Sequence, residues 1–189
     1  MSIVKTIAAG DATGRVAEEY AGDITDQGYV GSHTKVMALN IDALEAFDVL
    51  VGSIARGLGK RRYELVTLAA ALGAKSQHCR LAHGRRTLQV IDEEELVAIA
   101  DDYHSAGLPE AEVMMMEFAE RVSLDPYNMT DADSQQLRDA GFTDREIVDI
   151  ALAAAARNYY SRAIQALAVD VEPPTDISDR LRDALVRDL

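Results

Sequence analysis

Two alanine-rich apolar runs constrain this chain more than anything else in it. Leu65 to Leu72 is apolar except for Thr67, and Ile147 to Ala156 is apolar except for Asp149. Neither contains proline or glycine, and alanine and leucine are strong helix formers. A helix that is apolar on most sides is one buried on most sides. The runs echo each other: Glu64-Leu-Val-Thr-Leu-Ala-Ala-Ala71 parallels Glu146-Ile-Val-Asp-Ile-Ala-Leu-Ala153. Small alanine side chains let two such backbones approach closely. No extended run alternates apolar and polar residues with β-branched enrichment, so no sheet is expected. The reading is an all-α protein with a helix-packed core. At 189 residues it is expected to form a single helical domain over 1–170. A linker beginning at Glu172-Pro-Pro174 and a short amphipathic helix, Ser178 to Arg187, then fill 171–189.

The first run leads into the stretch that carries chemistry. The one cysteine, Cys79, follows it closely, with two of the four histidines, His78 and His83. Gly73 suits a helix C-terminus, where a left-handed residue is wanted. Ser76 suits the N-cap of the next helix. That puts Gln77, His78 and Cys79 in a first turn, where unpaired N–H groups and the helix dipole favour a thiolate. His83 lies four residues after Cys79, on the same helical face. Glu64, in the preceding helix, can turn back toward that face. A carboxylate, an imidazole and a thiol then converge, with Glu64 orienting His83 and His83 taking the proton of Cys79. Plainer readings stand beside this one. A lone cysteine among alanines and leucines also serves as a small buried hydrophobe. Ser76 also serves as a cap alone, and Glu64 as a complement to its helix dipole.

The spacing Glu64-x11-Ser76-x2-Cys79-x3-His83 resembles the motif Glu-x11-Cys-x2-Cys-x3-His of the alkyl hydroperoxidase D and carboxymuconolactone decarboxylase family. Glu64, Cys79 and His83 match it, and His78 matches its redox-active branch. Ser76 departs, standing where the motif has its first cysteine. The resemblance runs from about Gly14 to about Leu167. It includes Asn40-Ile-Asp-Ala-Leu-Glu-Ala-Phe47 and Arg157-Asn-Tyr-Tyr-Ser-Arg162, as in the family's peroxidase-related subgroup.

The resemblance implies an alkyl hydroperoxidase D-like helical fold and an antioxidant, thiol-dependent peroxidase. Cys79 would attack a hydroperoxide as thiolate and become a sulfenic acid. Glu64 and His83 would relay the proton, and His78 would tune it. In two-cysteine relatives the first cysteine resolves the sulfenic acid as a disulfide. Ser76 cannot, so an external thiol reductant is implied. The decarboxylase branch implies an alternative, in which Glu64 and His83 perform non-redox acid/base chemistry on a lactone or keto acid. Arg61, Arg62 and Arg80 lie near the motif as the material for binding a dicarboxylate. A third reading is a catalytically silent helical oligomer. Relatives assemble as trimers or hexamers, with Met114 to Met116 and the alanine-rich surfaces as interfaces.

Charge bounds the partners. With 19 basic and 32 acidic residues, the net charge of −13 disfavours nucleic acid and anionic membrane surfaces. A single cysteine makes no internal disulfide. The opening Met-Ser-Ile-Val-Lys-Thr lacks the apolar core of a signal peptide, and no stretch approaches the length of a membrane span. A cytoplasmic location is the expectation. No cofactor or metal is expected either. There is no glycine-rich phosphate loop and no His-Glu-x-x-His. His78 and His83, five apart, do not stack on one helix face as zinc ligands. Met114-Met-Met116 reads as packing, with no cysteine or histidine beside it.

Taken in order, the chain opens with an extended lead-in, Met1 to Ala12, and a short helix, Thr13 to Tyr20. Gly28 to Thr34 reads as a loop in which His33 is a solvated residue without a role. Lys35 to Ile54 is helical with a break near Asn40, and Gly57-Leu-Gly59 ends it before a helix from about Lys60. The Cys79 helix runs to about Val90. Further helices cover Asp92 to Tyr103, Glu110 to Val122, Thr130 to Asp139 and Thr143 to about Ala168, with His104 near a helix end. Asn158, Tyr159 and Arg162 are read as pocket-lining or core hydrogen-bonding residues.

Overall fold

The computed structural model describes residues 3–187 and 189, so Met1 and Ser2 of the lead-in lie outside it. The described residues contain helices and no strand. In order they are α1 (Gly14–Gln27), α2 (Ser32–Met37), α3 (Ile41–Leu58), α4 (Lys60–Gly73), α5 (Gln77–Thr87), α6 (Glu93–Asp102), α7 (Glu110–Leu124), α8 (Asp131–Asp139), α9 (Asp144–Ala166) and α10 (Asp179–Val186). None of these is long and apolar enough to cross a membrane.

The first alanine-rich run becomes α4, at the centre of the molecule. Leu65, Val66, Leu68, Ala69, Ala70 and Ala71 have no exposed surface, and α3, α5, α7 and α9 pack around them. The second run becomes α9, and its Ala153 and Ala154 are buried in the same core. Its start is fixed as read: Thr143 Oγ1 accepts the Glu146 N–H, and the Glu146 carboxylate accepts the Thr143 N–H at 2.9 Å. Thr130 and Asp133 form the same reciprocal cap on α8. Asn40 caps α3, its Oδ1 accepting the Ala43 N–H at 3.2 Å.

Several boundaries differ from the sequence reading, each for a local reason. The lead-in is not wholly extended, because Ala9–Asp11 makes a 3-10 turn. The first helix runs to Gln27, closed by Gly28 in the left-handed region at φ 86°. The loop expected through Thr34 ends at Gly31, and α2 already carries His33 and Thr34. The cap geometry at Gly73 also differs. Gly73 lies inside α4, and the left-handed residue is Lys75, at φ 51°. Glycine is needed at 73 for close approach, since a Cβ there would lie 2.7 Å from the Glu120 carbonyl oxygen and 2.9 Å from Ser123 Cβ on α7. Met115 and Met116 are fully buried in the core, and Met114 is half-buried against it.

The last helix is tied to the site helix. Arg80 on α5 is 1 % exposed. Its guanidinium donates to the carbonyls of Leu185, Ala100 and Leu68 at 3.0, 3.0 and 3.5 Å. Two of those carbonyls close the C-terminal turns of α10 and α6, where intrahelical partners run out. Leu185 fills the notch over Gly84, where a Cβ would meet its side chain at 2.3 Å.

Candidate active site

Cys79, His78 and His83 sit on α5 and Glu64 on α4, and the packing of the two helices brings Glu64 against His83. Ser76 caps α5, its Oγ accepting the Cys79 N–H at 3.4 Å. Glu64 and His83 are both buried and meet at 2.7 Å, Oε2 to Nδ1. Thr67 Oγ1 lies 3.2 Å from the same nitrogen. Its own proton goes to the carbonyls of Glu64 and Tyr63, at 2.9 and 3.0 Å. Both neighbours of Nδ1 therefore accept, which assigns the proton of the neutral imidazole to Nδ1 and leaves Nε2 as the base.

Burial, reinforced by the nearby Arg157 charge, holds the His83 pKa down to about 4, so the ring is neutral at pH 7. Burial would raise the Glu64 carboxyl. The hydrogen bond from His83 and the charges of Arg86 and Arg157 outweigh it and hold Glu64 below its ordinary value. The pair is thus a neutral imidazole oriented by a carboxylate, the arrangement of a positioned general base.

The sulfur of Cys79, 1 % exposed, has its hydrogen-bond donors on α9. Ser161 Oγ donates to Sγ at 3.1 Å and Arg157 Nη1 at 3.6 Å. Arg157 is buried as well. Burial works against its charge, but Cys79 and Tyr63 overcome this and raise its pKa. The guanidinium also faces the Tyr160 ring, at 5.8 Å from the centroid.

His78 is half-buried on the outer side of the site. Its ring lies 4.2 Å from that of His33, centroid to centroid. Burial, His33 and Arg157 hold His78 down to about 3. Burial, Arg86 and Arg157 hold His33 to about 4. His33 is therefore not a solvated loop residue. It is a neutral ring packed on a motif histidine, brought there because α2 starts three residues earlier than expected. A cavity of about 130 Å³ joins these groups, lined by Cys79, His83, His78, His33, Arg157 and Tyr160, with Glu19, Asp23, Asp48 and Arg86 farther out. By exposure, the cysteine, His83 and Arg157 form its floor, while Asp48 and Arg86 form its rim.

Arg61, Arg62 and Arg80, the arginines read as material for binding a dicarboxylate, are engaged elsewhere. Arg61 pairs with Glu95 and Glu112, Arg62 with Glu146, and Arg80 with backbone carbonyls. Asn158 and Arg162 hold Ser123, at 2.7 and 3.3 Å, and Tyr159 stacks on Phe47 at 5.4 Å. The residues that reach Cys79 from this segment are their neighbours Arg157, Tyr160 and Ser161. The available signal was an arginine and a serine on the buried face of an otherwise apolar helix. His104 lies outside the cavity, between Asp102 and Glu117 at 3.0 and 3.2 Å.

No protein-family model matches the chain, and no curated protein matches it by sequence. Solved structures do match. One is described as the alkylhydroperoxidase AhpD core of an uncharacterized peroxidase-related protein from Ralstonia eutropha JMP134. It is 22 % identical, with 98 % of this chain and 96 % of that one covered and a TM-score of 0.78. An uncharacterized peroxidase-related protein from Silicibacter sp. TM1040 is 24 % identical, over 91 % and 95 %, with a TM-score of 0.71. The debrominase Bmp8, solved as an alanine-for-cysteine variant with 2,3,4-tribromopyrrole, is 16 % identical over 98 % of each chain, with a TM-score of 0.75. Over nearly its whole length, then, this chain has the all-helical fold of the AhpD-core peroxidase-related proteins.

Proposed function

We propose that the protein is a one-cysteine, thiol-dependent peroxidase of the alkyl hydroperoxidase D type, with Cys79 as its peroxidatic thiol. The observation that carries this is the setting of Sγ: two donors, one a buried cation, in a cavity shared with an oriented imidazole base. Both donors point at the atom that would attack. His83 Nε2 accepts the thiol proton, and Glu64 holds the ring. The thiolate attacks the terminal oxygen of a hydroperoxide, forming S–O as O–O breaks. The departing alkoxide takes the proton from His83 and leaves as an alcohol. With its pKa held near 4, His83 passes that proton on rather than keeping it. His78, paired with His33, forms a neutral wall that relays rather than stores protons. The sulfenic acid then condenses with an external thiol, releasing water, and a second thiol releases Cys79 from the mixed disulfide. Cys79 is the chain's one cysteine, so both thiols come from outside it.

The test is peroxide consumption with an alkyl hydroperoxide and dithiothreitol as reductant. Cys79→Ser is expected to abolish turnover; an unchanged rate ends the proposal. The Glu64–His83 pair favours a second reading, acid/base chemistry on a lactone or keto acid. Turnover of such a substrate that survives Cys79→Ser selects it. The debrominase neighbour adds brominated aromatic rings to the substrate panel. A homo-oligomer belongs to the same proposal. The apolar groove of Phe47, Leu50, Leu152 and Tyr159 between α3 and α9 supports it, and light scattering measures it.

A further inference from the structure

Arg157 differs from the other well-placed arginines of this chain. Arg61, Arg62 and Arg85 each meet carboxylates, and fully buried Arg80 is held by three backbone carbonyls. Arg157 is 6 % exposed, yet among the described residues it meets no carboxylate and no carbonyl. Its contacts are the sulfur of Cys79, the Tyr63 hydroxyl and the Tyr160 ring. Its Nε has no partner. A buried donor without an acceptor destabilises the fold, and more so when it is charged. Here the unpaired donor belongs to a cation that lines the cavity over the reactive thiol.

A guanidinium presents a planar fork matched to the two oxygens of a carboxylate. With Nη1 engaged by sulfur, Nε is the donor left without an acceptor. We propose that Arg157 is the carboxylate-recognition element of the Cys79 cavity, so that the molecules delivered to this thiol are small organic monoanions. This rests on reading the cavity as the reactive site. It narrows the substrate class to short carboxylates carrying the electrophilic atom close to the carboxylate. Nη1 lies 3.6 Å from Sγ, which leaves space for only a short spacer between the recognised and the attacked groups. A cavity of about 130 Å³ likewise excludes long acyl chains. Glu19, Asp23 and Asp48 on the outer wall oppose an anion. Their reach through water falls off within a Debye length of about 8 Å, while the buried guanidinium acts at contact with little screening.

Iodoacetate and iodoacetamide test this directly, because they differ only in charge and carry the electrophilic carbon next to the recognised group. Their rates of alkylating Cys79, followed by intact mass, are divided and compared with the same ratio for free N-acetylcysteine at one pH and ionic strength. The division cancels the ionisation of the thiol. Preference for iodoacetate at least tenfold above the free-thiol ratio is expected. Formate should slow the iodoacetamide reaction of the unaltered protein. Arg157→Gln should return the ratio to the free-thiol value, and Arg157→Lys should retain part of it. A ratio equal to that of the free thiol, or a preference that persists in Arg157→Gln, overturns the proposal. Should Arg157→Gln fail to fold, the unaltered protein decides: no preference and no protection by formate refute it. No peroxide enters the experiment, so its failure leaves the peroxidase reading to its own test.

Discussion

Ser76 occupies a position where oxygen and sulfur have different consequences. As an oxygen it accepts the Cys79 N–H and starts α5. Ser76→Cys should weaken that cap by about 1 kcal/mol. It also puts a second thiol in the turn that holds Cys79. We expect peroxide-treated Ser76→Cys protein to lose two hydrogens as an internal disulfide, where the unaltered chain gains one oxygen. Intact mass distinguishes the two, and a stable sulfenic acid in the variant would show that the sulfurs do not meet. Ser76, Cys79, His83 and Glu64 were legible because their geometry is local: a cap, a turn of helix and one short connection. Arg157 and Ser161 were not, because they lie 78 and 82 residues from Cys79 and only the packing of α9 on α5 brings them there. His33 was misread for the same reason. Nothing local to a glycine-rich segment tells of a ring waiting on another helix.

At the scale of elements, α4 and α7 lie so close that Gly73 has no room for a methyl group. Gly73→Ala puts a carbon 2.7 Å from a backbone oxygen, which cannot rotate away as a side chain would. The helices must separate, and overpacking of this kind costs about 1–3 kcal/mol. Urea unfolding should show a lower midpoint for Gly73→Ala, and an unchanged midpoint would mean that the contact yields freely. Helix identity was readable from apolar runs and caps, which is why α4, α8 and α9 begin where expected. The purpose of a glycine was not, since a helix end and a helix crossing ask for the same residue. One is a demand of backbone angle and the other of interhelical distance.

At the scale of the whole molecule, the three clustered histidines make stability depend on pH. An ordinary imidazole titrates near 6.5. Burial and neighbouring charges hold His78 to about 3 and His33 and His83 to about 4. Between those values and 6.5 the unfolded chain binds more protons, so stability is complete above pH 6.5 and declines as pH falls toward 4. A fully buried ring such as His83 contributes up to about 1.4 kcal/mol per pH unit in that window, and the half-buried pair less. Urea midpoints should drop between pH 7.5 and 5, and equal midpoints would show that these rings are protonated in the folded state. Arg80 carries a consequence of another kind. The helix that presents Cys79 cannot satisfy its buried guanidinium until Leu185 arrives, 105 residues later in the chain. At about 5–20 residues per second, synthesis leaves an interval of roughly 5–20 s during which α5 exists before the helix that anchors its arginine does. A growing chain therefore carries its thiol on a helix whose last anchor has not yet been made, and an oxidation at that stage would come before the fold around that helix is complete.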